Sequence, residues 1–176
     1  MAARPTSVAQ THPGRFPRAL VAGRALSLSV FVPGEPVFKQ RHRARVATGK
    51  NGKPFVQFYP DKRSADYEEY AGQYMLFQLR KVELEGKGED FTLPIRDCRI
   101  LAHIRFNIQR PKSIKRVHMT VKPDLDNLAK SILDALVQGG VIYDDNLITD
   151  LMTMKRYADD DHPEGVEVEL TCLPTS

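Results

Sequence analysis

The chain has 176 residues, enough for one buried core, and its hydrophobic content of 41% is ordinary for a globular protein. No apolar run approaches the roughly 20 residues that a membrane span needs, so we expect no membrane partner. The net charge is +4 at pH 7. Cys98 and Cys172 lie far apart with no CxxC partner, which excludes a disulfide framework and a zinc site and indicates a reduced, cytoplasmic protein.

Residues 1–23 are rich in Ala, Arg, Pro, Ser and Thr and contain no acid. They lack the long apolar region of a secretory signal, so we predict a disordered extension, with an organelle transit peptide as the alternative. Residues 24–176 are then expected to form a single domain.

The first predicted elements are a strand and a hairpin. The stretch "ALSLSVFV" (Ala25 to Val32) alternates apolar and small polar residues, as strands do. "NGK" (Asn51 to Lys53) predicts a turn, and "PFVQFY" (Pro54 to Tyr59) predicts the returning strand. No acid occurs between Glu35 and Asp61, so this segment forms either a basic flap that reaches DNA or a solvated surface. Its basic residues are Lys39, Arg41, Arg43, Arg45, Lys50 and Lys53.

A helix and a second strand follow. "SADYEEYAGQYMLFQLRKV" (Ser64 to Val82) predicts a helix with Ser64 as its N-cap. "CRILAHIRFNI" (Cys98 to Ile108) alternates strongly and predicts a strand. The loop from Arg110 to Pro123 is basic, and a positive segment beside a polyanion supplies sequence-independent phosphate binding. The DNA-binding candidates in this loop are Arg110, Lys112, Lys115, Arg116 and Lys122.

The central helix runs from Asp124 to about Gln138, with leucines and isoleucines at core-facing spacing, and Gly139-Gly140 ends it. "VIY" (Val141 to Tyr143) is expected to begin a strand that breaks at two aspartates. The stretches from Leu147 to Tyr157 and from Val166 to Leu173 are expected to form a final hairpin.

Acids surround this central helix, and two interpretations of them stay open. In the structural one, Asp124 caps the helix, Asp126 pairs with Lys130 four residues on, and Asp144-Asp145 is an ordinary turn. In the functional one, the carboxylates converge on Mg²⁺, a hard cation that takes oxygen ligands. Two such ions about 3.5–4 Å apart can activate water for phosphodiester hydrolysis, and a lysine can offset the charge on the phosphate.

Geometry alone does not decide between these interpretations. The second acid pair returns only part of the way along the helix, which brings it near Lys130 or Asp134, or near another subunit's site in a dimer.

The segment "KPDLDNLAKSILDALVQGGVIYDDNLI" (Lys122 to Ile148) resembles the RusA-type Holliday junction resolvases, also called crossover junction endodeoxyribonucleases. The likeness is carried by its D-x-D-N-x-x-K core, its D-A-L and its closing D-D. A looser likeness covers "VPGEPVFKQRHRAR" (Val32 to Arg45). The resemblance implies an α/β (α+β) homodimer, with a small mixed sheet and two main helices, that cuts four-way DNA junctions symmetrically.

The resemblance also implies site residues and a cofactor. The family's essential acids fall on Asp124, Asp126 and Asp145, which would hold Mg²⁺, with Mn²⁺ as a substitute. Its important lysine falls on Lys130. Asp144 matches a further acidic position and is an additional metal candidate. Asp134 matches one as well, and we interpret it as a structural partner of Lys130.

We therefore expect a Mg²⁺-dependent, structure-selective endonuclease that resolves Holliday junctions in DNA recombination and repair. The alternatives are a branched-DNA-binding protein without catalysis and a metal-dependent RNase. Two symmetric cuts need two sites related by a two-fold axis, which predicts a C2 homodimer. The helix from Ser64 to Val82 and the strand from Leu147 to Tyr157 are the candidate interfaces.

Overall fold

The computed structural model describes residues 25–40, 43–48, 50–59, 61–84 and 92–174. The predicted N-terminal extension, residues 1–23, lies outside them. None of the helices in this part of the chain is long and apolar enough to cross a bilayer. The elements follow one another as β1 (Leu26–Pro33), β2 (Arg43–Thr48), β3 (Pro54–Tyr59), α1 (Lys62–Leu84), β4 (Cys98–Ile108), α2 (Leu125–Gln138), a 3₁₀ turn (Asp145–Leu147), β5 (Ile148–Tyr157) and β6 (Gly165–Pro174).

Four strands form one sheet in the order β1-β6-β4-β5. β6 runs antiparallel to both β1 and β4, whereas β5 runs parallel to β4. Because parallel neighbours need a crossover connection, α2 lies between β4 and β5 in the chain. The sheet is therefore mixed and is accompanied by two helices, which confirms the predicted fold class.

The core lies between one face of the sheet and the two helices. Alternate side chains of β1, β4 and β6 are buried, and Leu128, Ile132 and Leu136 of α2 are buried with them. Each such side chain contributes about 1.5–3 kcal/mol relative to an exposed one. Gly72 of α1 and Gly139 after α2 let the helices approach, since a Cβ built on either would lie 2.5 Å from a backbone oxygen across the contact.

The predicted final hairpin is wrong. The last two strands, β5 and β6, are not neighbours, because β4 lies between them in the sheet. β4 pairs along both edges, through Cys98 to Asn107 with β6 on one side and through Ile100 to Ile108 with β5 on the other. A strand expected at Val141–Tyr143 is also absent from the described chain, where only Ile142 forms an isolated bridge, to Ile95.

The N-cap predicted at Ser64 is corrected as well. Helix α1 begins at Lys62, and the Asp61 carbonyl accepts from the Ala65 N–H at 3.1 Å. The Ser64 hydroxyl instead donates to the Phe38 carbonyl and accepts from the Gln40 N–H, both at 3.0 Å. This serine therefore anchors residues 38–40 against the start of α1.

The predicted hairpin is confirmed as a separate two-stranded sheet of β2 and β3. Its connection contains Gly52 at a φ of +75°, a conformation that favours glycine. The Lys53 N–H donates to Asn51 Oδ1 at 3.2 Å. The backbones of β2 and β3 pair with each other as a sheet of their own, outside the main four-stranded sheet.

Both cysteines are buried and unbridged, as predicted. Burial raises the pKa of the Cys98 thiol and of the Cys172 thiol, so both behave as inert core residues.

Candidate active site

Asp124 stands at the N-cap of α2. Its backbone is extended, and its carbonyl accepts the first helical hydrogen bond, from the Leu128 N–H at 3.2 Å. An N-cap aspartate normally turns its carboxylate onto the N–H groups of the first turn. The Asp124 side chain makes no such bond and is exposed. Asp124 therefore occupies the N-cap position, as the structural interpretation expected, but its side chain does not cap the helix. Its carboxylate is available to a ligand.

Asp126 lies in the first turn of α2 with an exposed side chain. The pairing with Lys130 that the structural interpretation required does not form. The Lys130 ammonium instead lies 3.4 Å from Asp134 Oδ1, which confirms Asp134 as its partner. In the part of the chain that is described, the Asp126 carboxylate makes no hydrogen bond or ion pair.

The two acids after α2 differ from each other. Asp144 Oδ1 accepts the Asn146 N–H at 2.9 Å and so caps the 3₁₀ turn. Asp145 is exposed, and across residues 92–174 and the other described ranges no group hydrogen-bonds its carboxylate. The Asp145 carboxylate is therefore exposed and without a described hydrogen-bond partner, as those of Asp124 and Asp126 are. The Asp144 carboxylate has a partner.

These acids do not meet within one chain. Ile148 begins β5, just after Asp145, while Lys155 near the other end of β5 contacts the residue before Asp124. Lys155 lies seven residue steps along the strand from Ile148, or roughly 23 Å. The 14 residues of α2 span a similar length, about 21 Å. Asp145 consequently lies near the opposite end of α2 from Asp124.

A three-carboxylate metal site therefore does not fit a single chain. Among the described residues, no group of three or more His, Cys, Asp or Glu side chains could hold a metal ion. The donor chemistry suits a hard divalent cation, but the expected convergence of Asp145 on Asp124 and Asp126 does not occur in one protomer.

Lys39, predicted as a DNA contact, is used inside the protein. Its ammonium lies 2.8 Å from Glu68 Oε2 and 2.9 Å from Asp134 Oδ2, and Glu68 is buried. Burial lowers the pKa of Lys39, but hydrogen bonds and ion pairs with the two carboxylates outweigh that effect and raise it. The Lys39 N–H also donates to the Asn127 carbonyl at 2.9 Å. We therefore do not retain Lys39 as a phosphate ligand.

Lys155 is a site residue that the sequence pattern did not reveal. Its ammonium donates to the carbonyls of Val121 and Pro123, each at 2.6 Å. Both acceptors lie in the three residues before Asp124, so this lysine fixes where α2 begins. Nothing in the spacing of β5 distinguishes Lys155 from an ordinary exposed strand lysine.

The loop between β4 and α2 leads directly to Asp124 and presents its positive side chains to solvent. Lys112, Lys115 and Lys122 are exposed. Arg110 stacks over the Tyr157 ring at 4.7 Å, and the Arg116 guanidinium donates to Thr120 Oγ1 at 3.1 Å.

The other predicted DNA contacts belong to the hairpin. Arg43 and Arg45 are residues of β2, paired in register with Tyr59 and Gln57. Arg41 lies outside the described residues.

Exposed carboxylates that no described group binds, next to an exposed basic loop, suit an enzyme that hydrolyses nucleic-acid phosphodiesters. The family comparison identifies the particular group: the model for "Endodeoxyribonuclease RusA" matches residues 33–171. The chain belongs to the RusA endodeoxyribonuclease family and is an endonuclease. A search of curated proteins found no significant match. The family acts on branched DNA junctions and is generally dependent on divalent metals.

Proposed function

We propose that this protein resolves four-way DNA junctions by symmetric, Mg²⁺-dependent phosphodiester hydrolysis during recombination and repair, with Mn²⁺ as a substitute. One observation carries the proposal. The carboxylates of Asp124, Asp126 and Asp145 are exposed, and no described group forms a hydrogen bond with them. Among the described residues of this basic protein, no cation pairs with these three carboxylates. Its DNA substrate and reduced cysteines suit the cytoplasm.

We assign roles to the residues as follows. Asp124, Asp126 and Asp145 hold the metal, while Asp144 contributes mainly to the turn. Lys130, four residues after Asp126, neutralises charge on the phosphate that is cut. The basic residues of the loop and of the hairpin bind the DNA backbone; these are Arg41, Arg43, Arg45, Arg110, Lys112, Lys115, Arg116 and Lys122.

Because these acids lie apart within one chain, we propose that the active site forms between the two chains of a dimer. Because Asp145 lies at the far end of α2 from Asp124, the metal-binding set closes only when a second copy supplies the missing acid. A two-fold axis then forms two equivalent sites, one for each of two symmetric cuts. β5 is one of the two edge strands of the sheet and exposes Leu151, Met152 and Met154, so we propose it as the interface.

The first experiment measures cleavage of a four-way junction, a flap and a linear duplex with and without Mg²⁺. We expect paired nicks in the junction only when metal is present. Asp126→Asn should abolish cleavage while retaining junction binding, and Asp66→Asn, at an exposed acid of α1, serves as the matched control. A wild-type protein that binds junctions but never nicks them in Mg²⁺ or Mn²⁺ favours the non-catalytic alternative. Preferential cleavage of an RNA duplex favours the RNase.

The second experiment tests the shared site. Asp126→Asn and Asp145→Asn chains, each inactive alone, are co-expressed with different tags and the mixed dimer is purified. One of its two shared sites is then intact, so we expect nicking of one strand to return. Light scattering should give about twice the 19.9 kDa chain mass. A mixed dimer that stays inactive contradicts the shared site while leaving the endonuclease assignment in place.

A further inference from the structure

The β2–β3 hairpin exposes apolar side chains that its own fold does not use. Val46 is 74% exposed, Val56 is 55% exposed and Phe55 is 50% exposed. Exposed apolar residues are common singly, but three on one short hairpin outside the main sheet indicate a contact surface.

The register places these side chains on both faces of the hairpin. Val46 and Val56 are cross-strand partners and share one face. Phe55 is paired with Ala47, and because successive strand residues alternate, its side chain lies on the other face. The hairpin is therefore a two-stranded wedge, apolar on each side.

The charge around this wedge indicates its partner. Residues 36–60 contain no acid, and Lys50 and Lys53 are exposed beside the turn. Two such positive hairpins brought together would repel each other, whereas a nucleic acid would be attracted to one. Apolar side chains flanked by cations are the means by which proteins enter base stacks.

The base of the hairpin is anchored beside the candidate active site. The Lys39 N–H bonds the Asn127 carbonyl, one residue after Asp126, and Gln40 is held by Ser64 at the start of α1. The chain returns from β3 to Asp61 at the same helix start. A hairpin attached there emerges close to the acids at the start of α2.

We propose that the hairpin inserts into the open centre of branched DNA, where Phe55, Val46 and Val56 pack against the faces of unstacked bases. This insertion rests on the proposed function, and it identifies the part of the protein that would select a branched substrate. In a linear duplex, insertion must first unstack bases, which costs a few kcal/mol per step. At a branch point the stack is already interrupted, so the same contact is gained at little cost.

The test uses the full chain carrying Asp126→Asn, so that binding is measured without cleavage. A four-way junction carries a fluorescent base analogue at its branch point, and a linear duplex carries the same analogue. Phe55→Ala is compared with Phe77→Ala, which removes from α1 an aromatic ring that is even more exposed (66%, against 50% for Phe55). Phe55→Tyr, which keeps an aromatic ring, is the conservative rescue variant, and the β-sheet signal in circular dichroism checks that the fold is intact.

We expect junction binding to raise the fluorescence of the branch-point base, and Phe55→Ala to remove that rise. Phe55→Ala should weaken junction affinity about tenfold and leave duplex affinity unchanged, since stacking on one base is of this size. Phe77→Ala should match the parent, and Phe55→Tyr should restore most of the affinity. The proposal is overturned if Phe55→Ala loses as much affinity for the duplex as for the junction. It is also overturned if the parent protein never perturbs the branch-point base. A Phe55→Ala protein that is monomeric where its parent is a dimer overturns it as well.

The two proposals fail separately. If the wild-type protein does not cut junctions but the hairpin still perturbs the base, the proposed function fails and the insertion stands. If junctions are cut and the base is unperturbed, the insertion alone fails.

Discussion

Two sets of charged groups in this protein differ in how completely they are paired. On the sheet face opposite the helices, Glu167 accepts from Asn107 and Arg156, each at 2.9 Å, and from Arg105 at 3.2 Å. Arg156 also donates to Asn107 Oδ1 at 2.7 Å, and Asn107 is fully buried. Each of these four side chains has at least two partners.

The acids at the two ends of α2 have the opposite character. Asp124, Asp126 and Asp145 make no hydrogen bond or ion pair with any described group. Charges that satisfy one another stabilise a fold, while charges left to solvent contribute little to it and remain available to a ligand. Substitutions in the first set should therefore affect stability, and substitutions in the second should affect catalysis.

Asp144 and Asp145 are adjacent acids, but only Asp144 has a described hydrogen-bond partner. Asp145→Asn should lower the cleavage rate on the order of 10³-fold, because it removes a proposed ligand of the metal ion that would stabilise the developing charge. Its free energy of unfolding should stay within about 0.5 kcal/mol of wild type. Single-turnover cleavage and urea denaturation measure the two quantities.

Asp144→Asn is the matched control for Asp145→Asn. The Asp144 carboxylate already accepts the Asn146 N–H, so its loss should slow cleavage less than about tenfold. Equal losses of activity in the two variants would contradict the distinction between them.

The paired set should respond in the other way. Glu167→Gln should lower the free energy of unfolding by about 2–3 kcal/mol, since it takes the carboxylate away from Arg156 and from the buried Asn107 amide. Arg105 keeps its ion pair with Glu169. Cleavage per folded molecule should be unchanged. Urea denaturation and the nicking assay measure these effects.

The effect of Glu167→Gln should also depend on pH. Burial would raise the pKa of Glu167, but the Asn107 hydrogen bond and the charges of Arg156 and Arg105 outweigh it, so its pKa lies below the usual 4.5. A depressed pKa stabilises the fold above the unfolded value and loses that contribution as pH falls through the folded value. The stability gap between wild type and variant should therefore narrow below about pH 4.5, and a gap constant with pH would refute the argument.

Lys155 shares features with both sets of charged groups. Its ammonium is hydrogen-bonded within the protein, as in the paired set, but it holds the start of α2 in place beside Asp124. Lys155→Met should lower kcat about tenfold and leave KM for the junction nearly unchanged, because the carbonyls of Val121 and Pro123 lose their anchor while the DNA contacts remain. Lys155→Arg should recover part of kcat. If KM rises as much as kcat falls, Lys155 contacts DNA and does not act through Asp124.

The smallest effect is expected from one exposed cation of the basic loop. Lys115→Ala should reduce the slope of log affinity against log salt by about 0.9 and weaken binding about fivefold at 0.15 M salt. Lys81→Ala, at an exposed lysine in the last turn of α1, should leave the slope unchanged. A slope that is unchanged in both variants places the DNA away from this loop.

Local patterns predicted most of the elements of this fold. The alternation in β1 and β4, the turn at Asn51–Lys53 and the apolar stripe of α2 each depend on neighbours a few residues away, and the structure has all of them. The N-cap predicted at Ser64 is wrong because the Ser64 hydroxyl forms hydrogen bonds with the backbone of residues 38–40, which are distant in the sequence. A capping residue can be inferred from its neighbours only when its partner is local.

Strand pairing was the part that local patterns could not supply. β5 and β6 are consecutive in the chain, but β6 pairs with β4 and β1, and that choice depends on burying the shared apolar face. The same limit applied to the site. Motif spacing selected the acids, but the direction of β5, parallel to β4, decides that Asp145 lies far from Asp124.

The central place of β6 has a consequence for how the enzyme is made. Strands β1 and β4 have no contact as neighbours until β6, the last described strand to be synthesised, enters the space between them. A nascent chain that ends before Gly165 therefore exposes the inner faces of both strands and cannot complete the core that supports α2. Synthesis thus delays activation, because this DNA-cutting enzyme acquires its working fold only after the rest of its described sequence has been translated.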